Sequence, residues 1–171
     1  KAKTVVKDLF DITADDLKEF DVVIDAFGAW TEKTLPLHIT SLQHLCDLLS
    51  NTKIRLLVVG GAGSLYIDPA HTVQVMDLDN FPEAFKPVAF YTGEALKMLR
   101  ERNDVVWTYL SPAADFQADG ARTGNILLGG EEYFVNEKGV SAISYADYAI
   151  AMIDEIEKAD HIQKRFSVIG A

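Results

Sequence analysis

The chain has 171 residues, 49% of them apolar, with 26 acidic against 16 basic side chains and a net charge of −10. That size suits one well-buried domain, and the acidic balance argues against nucleic acid or an anionic membrane as the main partner. A single cysteine, Cys46, excludes an internal disulfide framework, and the four histidines show no HxxxH or HExxH spacing, so no metal site is expected.

No run of about 18 apolar residues and no cationic, apolar leader is found, so the expectation is a cytoplasmic protein without a membrane span or signal peptide. In chain order, Thr4 to Leu9 reads as extended, and Thr13 with Asp16 three residues on makes a capping-box helix start before Leu17 and Phe20. Asp21 to Phe27 reads as a strand. Its continuous Val22, Val23 and Ile24 predict cover on both faces. Leu35, Ile39, Leu42, Leu45, Cys46 and Leu49 recur at helical spacing, which predicts an amphipathic helix over 35–49 with Cys46 buried in it.

Ile54 to Val59 predicts a buried strand that runs into the loop Gly60-Gly61-Ala62-Gly63-Ser64. An irregular stretch holding Pro69, Pro82 and Pro87 leads to a helix over 88–102, and Val105 to Leu110 predicts another buried strand. After Ser111-Pro112 the glycines Gly120, Gly124, Gly129, Gly130 and Gly139 divide short extended pieces, Asn125 to Leu128 and Tyr133 to Val135. This reads as a binding lobe over about 112–143. Ser144 caps a helix whose Tyr145, Tyr148, Ala149, Met152, Ile153 and Ile156 are expected on one face, and Arg165 to Ile169 makes a last short strand. Strands alternating with helices predict a Rossmann-like, doubly wound α/β domain with a mostly parallel sheet.

In such a sheet, Asp25-Ala26-Phe27-Gly28, Gly60 to Ser64 and Ser111-Pro112-Ala113 all end strands on one rim, where open α/β sheets bind ligands. Their small residues let a flat ligand approach the backbone. No GxGxxG occurs: Tyr66 stands where its last glycine would be.

Asp25-Ala26-Phe27-Gly28, LLVVGGAGSL from Leu56 to Leu65, Thr108 to Pro112, Arg122-Thr123-Gly124 and Ser144 to Ala149 occur in colinear order. Together they resemble the NADH-flavin reductases of the atypical short-chain dehydrogenase/reductases, the group that includes biliverdin reductase B. The resemblance implies a Rossmann domain that binds NADPH or NADH and passes hydride to a small planar acceptor, with FMN or FAD as candidate substrates. It also implies that about forty residues of such a domain, with its GxxGxxG loop, lie outside this chain. By matching position, Asp25, Ala26, Phe27 and Gly28 would lie along the adenine-ribose and pyrophosphate side. Gly60, Gly61, Gly63 and Ser64 would lie near the nicotinamide, with the Ser64 hydroxyl facing the acceptor or the ribose. Ser111, Pro112 and Ala113 would present backbone to the carboxamide, Phe116 would stack on the acceptor, and Arg122 would meet its carboxylate or phosphate.

One feature departs from the ordinary members of that superfamily, which use a YxxxK pair for proton exchange with an alcohol or carbonyl. Tyr91 lies in the right region, but Ala95 follows at the lysine position and Lys97 falls on another helical face. Dyad chemistry is thus disfavoured, flavin reduction is favoured, and Tyr91 remains as a proton-donor candidate. The same absence leaves open a non-catalytic NAD(P)-binding sensor; a sugar-nucleotide epimerase is weakened by it.

Overall fold

The computed structural model describes residues 2–171. In chain order the elements are α1 (Ala14–Leu17), β1 (Val22–Asp25), α2 (Leu37–Leu49), β2 (Arg55–Val59), α3 (Lys86–Arg100), β3 (Val106–Ser111), β4 (Asp115–Gln117), β5 (Ile126–Gly129), β6 (Ala142–Ser144), α4 (Tyr145–Lys158) and β7 (Lys164–Gly170). The main sheet has the order β1-β2-β3-β7-β5; the first four strands run parallel and β5 runs antiparallel to β7. A short parallel pair, β4 with β6, stands apart.

Helices cover both faces of the sheet. Leu42, Leu45 and Leu49 of α2 and Ala95, Leu96 and Leu99 of α3 bury against Leu56, Val58, Trp107 and Tyr109 on one face. On the other, Tyr148, Ala151 and Met152 of α4 pack on Leu57, Leu110, Phe166 and Val168. This is the doubly wound arrangement expected from the alternation of strands and helices. Local signals set the helix ends: the Thr13–Asp16 capping box forms, Pro87 sits in the first turn of α3, and Ser144 Oγ accepts the Asp147 N–H at the start of α4. At its far end α4 stops on Ala159, whose φ of 57° is left-handed. Below it the buried Glu155 accepts from Arg55 of β2 at 2.9 Å and meets His161 Nδ1 at 2.7 Å, tying the helix to the sheet.

Several expectations are corrected. Residues 4–8 take no strand; they are irregular and a short 3₁₀ turn, Leu9–Asp11, follows. The strand β1 is not covered on both faces: it is the edge of the sheet and Ile24 is 45% exposed. A run of β-branched residues signals a strand without saying how many neighbours it has or how far each face is covered. Asn125 to Leu128 belongs to the main sheet as β5 rather than to the lobe, and Tyr133 to Val135 forms no strand. In α4, Asp147 and Glu155 join the buried face while Tyr145 and Ile153 are half exposed. The last strand is central, held between β3 and β5.

Candidate functional site

The ends of β1, β2 and β3 lie side by side, since Asp25 is level with Val58 and Val59 with Leu110. Asp25 is buried, accepts the Phe27 N–H at 3.0 Å and thereby shapes the Ala26–Gly28 turn. Burial raises its carboxyl pKa, the Phe27 amide opposing. Ala26 and Gly28 are open to solvent, and Phe27 packs edge-on against His38 at 5.6 Å. Asp25, Phe27, His38, Val59, Thr92 and Tyr109 line a small pocket on the α2 and α3 side, with room for about one water. Trp30, 73% exposed, stands beside Gly28.

The glycine loop is packed as tightly below as it is open above. A Cβ on Gly60 would meet the Tyr109 ring at 2.1 Å, and one on Gly63 would meet Ala89 Cβ at 2.5 Å. These glycines therefore admit an aromatic ring and a helix, whatever ligand approaches from above. Tyr109 lies under the loop, its hydroxyl accepting the Gly61 N–H at 3.3 Å. Burial pushes that phenol up to about 12, so it stays protonated at neutral pH.

Ser64 is placed differently from the expectation for a rim hydroxyl. It is 4% exposed and its Oγ accepts from the Arg165 guanidinium at 2.9 Å. It lines a second cavity of about 130 Å³, between α3 and the segment that follows the loop, together with Tyr66, Met76, Phe90, Arg100 and Arg165. Ser111, Pro112 and Ala113 are buried where β3 ends, and the Ser111 hydroxyl has no partner among the described residues. Tyr91 is half-buried on α3 and sits edge-on to Phe90. Lys97 pairs with Glu94 at 3.6 Å on the exposed side of the helix.

In the lobe, Phe116 of β4 packs against Tyr145 at 4.2 Å and Tyr148 at 4.8 Å, leaving Tyr145 the more open ring. Arg122 is exposed. Its turn is fixed by Asp147, whose carboxylate accepts from Thr123 N, Thr123 Oγ1 and Gly124 N at 2.7–3.1 Å. Those bonds, the Thr123 hydroxyl first, hold the Asp147 carboxyl below its ordinary range.

No family model matches the chain. Over 165 residues, 96% of this chain and 77% of the relative, it is 48% identical to the uncharacterized protein YwnB of Bacillus subtilis. The crystal structure of a Streptococcus pneumoniae protein, provisionally described as an NADH-flavin reductase, matches at 52% identity and a TM-score of 0.97, covering 100% of this chain and 82% of that one. The chain belongs to one family with these two proteins. A Bacteroides thetaiotaomicron structure, provisionally described as an epimerase, matches at 36% identity and TM-score 0.78, covering 95% of this chain and 74% of that one.

The groups that sequence reading passed over are Tyr109, Asp147 as a clamp, and Arg165. Tyr109 and Arg165 could have been flagged as polar residues inside apolar strands. Their common target, the glycine loop, is visible only once the strands are in register.

Proposed function

We propose that this chain is an NAD(P)H-dependent oxidoreductase whose acceptor is a flavin or another planar molecule. The observation that carries the reading is the rim, where three parallel strands end level with one another in small residues and open backbone. The Streptococcus pneumoniae relative, described as acting between NADH and flavin, supports the same chemistry. The residues fit such a cofactor: Ala26 and Gly28 offer uncovered backbone, and Gly60, Gly61 and Ala62 present a surface free of long side chains. A bound nicotinamide would supply the hydride.

In this reading Asp25 sets the turn by which Ala26, Phe27 and Gly28 line the pyrophosphate side. Gly60, Gly61 and Gly63 seat the reacting ring, while Ser111, Pro112 and Ala113 back it. Phe116 supports an aromatic wall for the acceptor, and Arg122 meets the acceptor's carboxylate or phosphate. Holding two flat rings face to face accounts for most of the catalysis required. A flavin nitrogen can be protonated from solvent, so the lack of a Tyr91-to-lysine pairing is no obstacle. Epimerisation through such a pair finds no support in α3, where Ala95 is buried and Lys97 forms an ion pair with Glu94.

The test is consumption of NADPH and of NADH, followed optically with FMN, FAD, riboflavin and small quinones. Nucleotide binding without acceleration by any acceptor rejects the enzyme reading and leaves a non-catalytic redox sensor. Tyr91→Phe separates the two proton sources: a loss of about tenfold or more in kcat assigns the donor to Tyr91, and an unchanged kcat assigns it to solvent.

A further inference from the structure

Gly60, Gly61 and Gly63 make the loop the backbone with most freedom to lose on ordering, because glycine restricts φ and ψ least. Two side chains from one row of the sheet restrain it. Val58, Tyr109 and Arg165 are register partners on β2, β3 and β7, so their side chains leave the sheet on the same face, beneath the loop. Tyr109 takes the Gly61 N–H. Arg165, its side chain 1% exposed, donates through Nη1 to Ser64 O at 2.8 Å and to Ser64 Oγ at 2.9 Å.

The other arm of the guanidinium is fixed as firmly. Nη2 donates to the Glu131 carbonyl at 3.1 Å and to the Glu131 carboxylate, and Arg100 of α3 donates to that same carboxylate at 2.6 Å. The Tyr66 ring covers the guanidinium at 5.5 Å, with His71 stacked on Tyr66 at 4.5 Å. A guanidinium can only donate, and its planar fork aims at two acceptors at once. Burying such a charge stabilises little, because desolvation offsets what its partners return. Its effect is therefore mainly geometric: it holds the loop at one height above the sheet.

The geometry points to Arg165 as the positioning residue of the glycine loop, acting through Ser64 and Glu131 and without touching the ligand on the rim. The kinetic consequence rests on the oxidoreductase reading; the structural consequence does not. If the loop seats the reacting ring while other segments hold the rest of the nucleotide, loosening it lowers kcat more than it raises KM.

The test compares wild type, Arg165→Met, Arg165→Lys and Glu131→Gln by amide hydrogen exchange and by turnover with the best acceptor. In Arg165→Met, amides of residues 63–66 exchange at least about tenfold faster while those of Ala151 and Met152 in α4 do not change, and kcat falls about tenfold with KM for the nucleotide within about twofold. Arg165→Lys recovers part of both effects. Glu131→Gln leaves the guanidinium in place without its anionic partner and gives smaller changes in the same direction, which decides the matter if Arg165→Met does not fold. Unchanged exchange at 63–66, or exchange rising equally in α4, overturns the inference. A wild type that consumes nucleotide with no acceptor rejects the reductase reading, and the exchange comparison alone then decides Arg165.

Discussion

At the scale of single residues, Asp147 shows how a charge legible as part of a helix's first turn does more than suit the dipole. Its position after Ser144 predicts a charge suited to the helix dipole. The carboxylate instead reaches across to Thr123 and Gly124 and holds the turn that carries Arg122. No spacing rule links positions 123 and 147, so that contact could not be read from the sequence. Asp147→Ala is expected to lower stability by about 1–3 kcal/mol, measured as a urea midpoint at neutral pH. The sign of the pH dependence follows from the folded pKa lying below the ordinary aspartate value. The stabilisation is complete above that value and is lost as pH falls through the lower folded one. The gap between wild type and Asp147→Ala should therefore narrow on acidification below about pH 4; a gap that widens there contradicts the assignment.

Among the elements, those with a strong period were legible almost to the residue. The helix predicted over 35–49 spans Leu37–Leu49, and the strand predicted over 54–59 spans Arg55–Val59. The glycine loop was legible as a feature and not as a cause. Its glycines invite a ligand reading, yet Gly60 and Gly63 are required by Tyr109 and Ala89 beneath them. Gly60→Ala should thus cost about 1–3 kcal/mol through overpacking, even with no ligand present. Pairing it with Tyr109→Leu should cost less than the two single changes added together, in a thermal-unfolding cycle. Strict additivity would mean that the ring and the new methyl do not meet.

For the molecule as a whole, alternating strands and helices were enough to give the doubly wound class, but not the strand order or the edges. Pairing between distant strands depends on which backbone lies next to which, and one strand's composition is nearly silent on that. Among the described residues β1 pairs with β2 alone, and Ile24 on it is 45% exposed.

The central place of β7 also has a consequence for biosynthesis. Arg165 lies 101 positions after Ser64, beyond every other strand of the sheet. As the polypeptide emerges from the ribosome, β1, β2 and β3 can pair while the loop above them is still ungripped on its Ser64 side. A ribosome stalled before residue 164 would hold β1, β2 and β3 paired and the glycine loop still unset on its Ser64 side.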